Sequence, residues 1–132
     1  MAKKRYLFSA DYMADPAAHV FDGKLFVYPS HDWEAHAAED DDGGHFQMKD
    51  YHALSIDGDP MTGKVNDHGV IFDVKDVPWA EKQLWDSDVV EKNGKYYYIF
   101  SAKGYDGVFR LGVAVADKPE GPFVPQPQPI RG

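Results

Sequence analysis

The sequence predicts an all-β fold built from β-propeller blades, and three observations support this prediction. Two segments, FDGKLFVYPS from Phe21 and KNGKYYYIFS from Lys92, align without a gap 71 residues apart. Each begins at an Asp-Gly or Asn-Gly pair followed by β-branched and aromatic residues, which is typical of a β-hairpin. Helical periodicity is absent apart from a short turn predicted at residues 79–83. Repeated strand units favour a propeller over a sandwich, because a sandwich need not repeat itself.

The two repeats divide the chain into two blades. Blade one spans about residues 15–75 and blade two about residues 84–125, so residues 1–132 are interpreted as the N-terminal part of a propeller domain. In each blade a third strand ends in an Asp and a Pro/Gly turn, as in YHALSIDGDPMTG and RLGVAVADKPEGPF. A further strand is predicted at residues 70–74. The loop of blade one is longer than its counterpart, and the excess lies in the acidic segment 33–47. Because two blades cannot close a ring, we expect further blades from the same parent chain or from other copies.

Composition excludes several classes of function. The chain has 132 residues, 43% of them apolar, which is enough for one domain with a core. A net charge of -8 and the lack of basic clusters beyond Lys3–Arg5 argue against binding to nucleic acid or to anionic membranes. The absence of cysteine excludes disulfides and thiolate sites. No apolar run reaches the length of a signal peptide or a membrane span, so the sequence predicts a cytoplasmic protein.

Motifs for a metal centre are weak. Six histidines are present, but none belongs to an HExxH pattern, so no metal ligands are predicted and a zinc hydrolase has no support. The acidic run at residues 39–45 lacks the ligand spacing of an EF-hand. Contiguous like charges repel, which favours a solvated loop there.

Asp15 is the first candidate for chemistry. It precedes Pro16, which favours an extended conformation at Asp15, and its simplest role is to cap a turn. Blade two, however, has Asp86 and Asp88 in the corresponding approach to its own first strand. The innermost strands of a propeller begin at the central channel, so these carboxylates are expected to gather there. Carboxylates on two sides of a glycosidic bond suit its hydrolysis by acid–base chemistry.

Three segments carry a resemblance to a known family. MADPAAHVFDGKLFVYPSHD, QLWDSDVVEKNGKYYYIF and RLGVAVADKPEGPF, in this order, resemble the N-terminal part of glycoside hydrolase family 43. Its members are five-bladed propellers that include β-xylosidases and α-L-arabinofuranosidases. The resemblance implies an inverting, exo-acting hydrolase of plant xylan-derived oligosaccharides, and these two blades would be the first of five.

The resemblance also implies roles for individual residues. Asp15 falls on the general base that activates water. Asp88 falls on the carboxylate that modulates the pKa and orientation of the general acid, although Asp86 and Ser87 depart from the family motif just before it. Sugar rings stack on aromatic side chains. The implied substrate-binding residues are His31, Asp32, Trp33 and Trp85.

The general-acid glutamate of the family lies in a later blade, and no glutamate of this chain occupies such a position. A positioned acid contributes about 100- to 10,000-fold to the rate, so the isolated chain is expected to be inactive. No cofactor is expected to be required. The resemblance allows a calcium ion in the central channel, held through a histidine of a late blade. The expected partners are a xylo-oligosaccharide or arabinoside and the remaining blades.

Two alternatives remain open from the sequence. The chain could be a non-catalytic carbohydrate-binding or self-assembling propeller fragment that keeps only the aromatic residues of the pocket. A retaining, fructosidase-like propeller would use an early aspartate as a nucleophile. It would carry Arg-Asp-Pro in blade two, which this sequence lacks.

Overall fold

The computed structural model describes residues 4–7, 11–33 and 38–131, and the regular structure of this part of the chain is almost entirely β. The first sheet contains β1 (Met13–Phe21), β2 (Lys24–Asp32), β3 (Met48–Ile56) and β4 (Val65–Asp73). A short 3-10 helix, Val74–Asp76, leads to a second sheet of β5 (Ala80–Lys82), β6 (Ser87–Lys92), β7 (Lys95–Gly104), β8 (Phe109–Ala116) and β9 (Val124–Pro125). The predicted all-β class is confirmed.

Both sheets are antiparallel meanders. The first has the order β1-β2-β3-β4, and in the second β7 pairs with β5 and β6 along one edge and with β8 along the other, while β8 pairs with β9. The turn predicted at residues 79–83 is wrong, because residues 80–82 are the strand β5, paired with the end of β7. Strand β1 of the first sheet and strand β6 of the second lie side by side, and a hydrogen bond of 2.5 Å joins His19 to Asp88.

The two repeated hairpins have the same turn. Asp22 and Gly23 have φ of 52° and 73°, and Asn93 and Gly94 have φ of 53° and 77°. Both central residues of each turn are therefore left-handed, as in a type I′ turn, whose twist matches that of the flanking strands. Asp and Asn tolerate this conformation better than other non-glycine residues, which explains why the sequence signal was reliable.

An aromatic core fills the space between the two sheets. Tyr28, Tyr51 and Tyr98 have no exposed surface, and the ring of Tyr98 lies 4.8 Å from that of Tyr51 and 5.7 Å from that of Tyr28. Burial would be costly for the hydroxyls without partners, so each is hydrogen-bonded. Tyr28 donates to the carbonyl of Pro119 at 2.6 Å, and Tyr51 donates to the carbonyl of Trp85. Tyr51 thereby fixes the backbone just before β6.

Among the described residues, no helix has the length and apolar character needed to cross a membrane.

Candidate active site

A pocket of about 490 Å³ lies where β1 and β6 begin. Three parts of the chain form it: the start of β1, the acidic loop before β3, and the segment before β6. Its lining residues are Ala14, Asp15 and Met48 from the first sheet, Asp41, Asp42, Gly43 and Phe46 from the loop, and Trp85 and Asp86 before β6.

Asp15 lies on an irregularity of β1. Its φ is 50°, and the register between β1 and β2 shifts between Ala14 and Ala17. The extended conformation predicted from Pro16 is therefore wrong. A β-bulge bends the strand and re-aims a side chain, and bulges are common beside active sites. A non-glycine residue held at positive φ stores about 1–3 kcal/mol of strain, which the surrounding sheet must offset. Here the result is a carboxylate that faces the pocket.

Asp86 is the immediate neighbour of Asp15. Burial, and then the charge of Asp86 and a hydrogen bond to it, raise the pKa of Asp15 above its usual value. Two adjacent carboxylates resist ionising together, which is the physical cause of the charge effect. Two carboxyl groups in contact leave no room for a sugar and a water between them, whereas an inverting acid–base pair is about 6.5–9.5 Å apart. Asp86 thus lies close enough to raise the pKa of Asp15 and too close for the spacing of an inverting acid–base pair.

Asp88 does not line the pocket. Its carboxylate contacts His19 further along β1 and β6 than the pocket, and 69% of its side chain is exposed. The hydrogen bond from His19 lowers the pKa of Asp88. The structure therefore places Asp86, and not the predicted Asp88, beside Asp15, while Asp88 lies beside His19.

Trp85 lines the pocket as predicted, and the acidic loop positions it. The indole nitrogen donates to the carbonyl of Phe46 at 3.4 Å, and one ring face packs on Phe109 at 4.5 Å between centroids. Gly43 approaches the ring so closely that a Cβ there would lie 3.1 Å from it. The side-chain amide of Gln83 donates to the carbonyl of Gly43 at 3.1 Å. Gly43 and Phe46 are therefore held against Gln83 and Trp85. The acidic side chains of residues 39–42 are exposed, in line with the solvated run that the sequence predicted.

The remaining predicted substrate residues lie outside the pocket. His31 is 7% exposed, and its ring nitrogens contact Asp50 at 2.9 Å and Asp11 at 2.7 Å. Burial acts to lower the pKa of His31, but the two carboxylates outweigh it and raise the pKa overall. The indole nitrogen of Trp33 donates to Asp50 at 3.3 Å. Asp32 has one buried carboxylate oxygen without a hydrogen-bond partner among the described residues.

Several pocket residues were not singled out from the sequence. Asp41, Asp42, Gly43 and Phe46 belong to the acidic loop, and Met48 begins β3. A signal for them did exist, because the loop of blade one is longer than that of blade two. An insertion at the mouth of a repeated unit is a common place for binding residues.

Two antiparallel sheets pack against each other, and acidic residues lie near the beginning of β1 and just before β6. This arrangement defines the class of the chain, which is two neighbouring blades of a β-propeller. A search with family models found no match. The chain is 68% identical over 130 residues to a β-xylosidase of Xylanibacter ruminicola, covering 98% of this chain and 41% of the relative.

Solved structures agree with this relationship. A β-xylosidase structure, RS223, is 57% identical with a TM-score of 0.94, covering 99% of this chain and 40% of that one. A β-xylosidase/α-arabinofuranosidase of family 43 from a compost microbial metagenome, solved with xylotriose in a calcium-free form, is 54% identical with a TM-score of 0.90; the match covers 95% and 37%. The chain belongs to glycoside hydrolase family 43 and forms two blades of its five-bladed propeller. It spans about two fifths of the length of these relatives.

Proposed function

We propose that the chain supplies the general base of an inverting, exo-acting β-xylosidase/α-L-arabinofuranosidase that acts on xylan-derived oligosaccharides. The observation that carries this proposal is the pairing of Asp15 with Asp86 in a pocket walled by Trp85. Relatives named as β-xylosidases, and one solved with xylotriose, support the choice of substrate.

Asp15 is proposed to accept a proton from the attacking water. A base works best when its pKa lies near the working pH, and the pKa of Asp15 is raised in that direction by burial and by Asp86. Asp86 is thus a positioning residue that strengthens the base. The ring of Trp85 offers an apolar surface for one face of the sugar.

Departure of the leaving group needs an acid from outside these residues. Among the described residues, the acidic side chains that line the pocket are aspartates and not glutamates, and a carboxyl group in contact with Asp15 cannot protonate the far side of the sugar. We expect the isolated chain to be inactive and a complete five-blade protein that contains it to be active.

A calcium ion in the channel is not assigned to the residues described here. The described part of the pocket lining offers carboxylate oxygens, which calcium accepts, but no histidine. The implied histidine ligand would come from a later blade.

The test compares this chain with a complete five-blade protein that contains it, using aryl β-xyloside and aryl α-L-arabinofuranoside. Asp15→Asn in the complete protein should reduce kcat by about 100-fold or more, because it removes a positioned base. Asp117→Asn is the matched control, since the side chain of Asp117 is 83% exposed and pairs with Lys95. Inversion should appear by NMR as a first-formed xylose of the α configuration.

Three results would contradict the proposal. Turnover by the isolated chain would show that no later blade is needed for the acid. Unchanged turnover in Asp15→Asn would remove Asp15 from the mechanism. A first-formed product with retained configuration would exclude an inverting reaction.

A further inference from the structure

A second cluster of polar side chains lies away from the pocket, where β2 pairs with β3. His31 and Asp50 are directly opposite each other across these strands, and His52 is two residues further along β3. Residues two apart on a strand point to the same face. The three side chains are buried, with 8%, 2% and 12% of their surfaces exposed.

The inner atoms of the cluster converge. His31 Nδ1 lies 2.9 Å from Asp50 Oδ1, and His52 Nε2 lies 3.5 Å from the same oxygen. All three ligand atoms fall within 4.8 Å of one another. A tetrahedral zinc ion holds nitrogen and oxygen ligands at about 2.0–2.2 Å, which places neighbouring ligand atoms about 3.3 Å apart. The two distances to Asp50 Oδ1, 2.9 Å and 3.5 Å, differ from that by a few tenths of an ångström.

Each of the three side chains also has a partner on its outer side. Asp11 lies 2.7 Å from Nε2 of His31, and Asp67 lies 3.1 Å from Nδ1 of His52. The remaining oxygen of Asp50 accepts a hydrogen bond from the indole of Trp33. Metal-binding histidines characteristically donate their other ring N–H to a carboxylate, which fixes the ring and the tautomer.

The inner nitrogen of His52 has no hydrogen-bond partner among the described residues, although it is buried. Nδ1 of His52 faces the carboxylate of Asp67, and Nε2 faces an oxygen of Asp50 at 3.5 Å, which is longer than a normal hydrogen bond. A cation between Nε2 and that oxygen would bind both atoms. Buried polar atoms are nearly always satisfied, so the orphan nitrogen points to an absent group.

We infer that His31, Asp50 and His52 form a binding site for a zinc-class divalent cation. Two imidazoles and one carboxylate are a typical donor set for zinc, whereas calcium and magnesium prefer oxygen ligands in larger number. Three protein ligands leave a fourth position for water. The cation would join β2 to β3 and anchor the segment that begins at Asp11, and none of its ligands lines the pocket.

Zn²⁺ is titrated into a complete five-blade protein that contains this chain, and binding is measured by calorimetry. Co²⁺ serves as a spectroscopic probe of the same site. We expect one equivalent per chain and the strong visible absorption of four-coordinate cobalt. His52→Ala should abolish both signals. Asp67→Asn keeps all three ligands and should weaken affinity about 10- to 100-fold. His68→Gln is the matched control, because His68 contacts Ser55 and belongs to another cluster.

The outcomes separate clearly. Loss of binding in His52→Ala, with His68→Gln unchanged, supports the site. If His52→Ala does not fold, the test rests on Asp67→Asn: weaker Zn²⁺ binding by that variant supports the site. The inference is overturned if the parent shows no saturable binding, if both His52→Ala and Asp67→Asn bind like the parent, or if His68→Gln removes binding. None of these readouts depends on glycosidase activity.

Discussion

At the scale of single residues, Asp15 combines an unusual backbone with an unusual electrostatic environment. Its positive φ re-aims the side chain, and Asp86 then makes that carboxylate harder to ionise. Asn tolerates the same backbone conformation as Asp, so Asp15→Asn removes the carboxylate of the proposed base with little change in shape. Asn at position 86 likewise removes only a charge.

The first prediction concerns the acid limb of the pH profile. Asp15 must be ionised to act as a base, so activity falls as the pH drops through its pKa. Asp86→Asn removes the neighbouring charge, lowers the pKa of Asp15 towards its usual value and should move the acid limb of kcat/KM to lower pH. The profile of kcat/KM is the correct measurement, because it reports the free enzyme.

Asp88→Asn is the control that also tests the sequence-based assignment. Asp88 pairs with His19 and does not line the pocket, so its loss should leave the acid limb in place. If the acid limb of kcat/KM moves in Asp88→Asn and stays fixed in Asp86→Asn, then Asp88, and not Asp86, is the residue that modulates the pKa at the site.

The sequence predicted part of this site and missed the rest for identifiable reasons. Asp15 and Trp85, which line the pocket, were singled out because they lie in motifs at the start of the blades. The position of Asp86, rather than Asp88, beside Asp15 was not predicted, because a bulge such as the one at Asp15 leaves no mark in a hydrophobic pattern. The orphan nitrogen of His52 could not be foreseen either, since it depends on which strands are neighbours.

At the scale of elements, the acidic loop is as much a part of the pocket as the strands. Its described end is fixed to the second sheet by hydrogen bonds from Gln83 and Trp85. Hairpins such as β1–β2 were predictable, because an Asp-Gly turn acts over two residues. The docking of the loop was not, because it depends on contacts between residues about 40 positions apart.

The second prediction uses two glycines of this region. Gly43 has φ of 72°, and a Cβ there would lie 3.1 Å from the ring of Trp85. Gly58 has φ of 67°, and a Cβ there would meet no described atom within 4 Å beyond its chain neighbours. Alanine at either position suffers the cost of a left-handed backbone, about 1–2 kcal/mol. Only Gly43→Ala also pushes on the ring of Trp85. We therefore expect both variants of a complete five-blade protein to lose stability, and only Gly43→Ala to raise KM, by about fivefold for each 1 kcal/mol lost at the ring.

Thermal unfolding and steady-state kinetics on the xyloside measure the two effects separately. Equal KM values in the two variants would show that Trp85 does not contact the substrate. A rise in KM for Gly58→Ala as well would mean that KM follows general stability.

At the scale of the whole molecule, the two blades bury their facing surfaces and leave their outer surfaces bare. Along β7 the side chains alternate: Tyr98 and Phe100 are buried against the first sheet, while Ile99 is 37% exposed on the other face. Val90 and Leu111, on the neighbouring strands, are 50% and 53% exposed. Exposed apolar patches of this kind mark surfaces that another element covers. In a five-bladed ring that element is the next blade.

The last prediction follows from this bare face. The isolated chain should self-associate through the outer surface of its second sheet, because apolar area there would otherwise face water. Ile99→Lys places a charge at the centre of the face and should shift the isolated chain towards monomer in sedimentation velocity. In a complete five-blade protein the same charge would be buried between blades and should lower the midpoint of thermal unfolding. Met61→Lys, which changes an exposed residue in the turn between β3 and β4, should do neither. If the isolated parent chain is monomeric at high concentration, the self-assembling alternative has no support from this face. If Ile99→Lys leaves a complete protein as stable as the parent, this face does not contact the next blade.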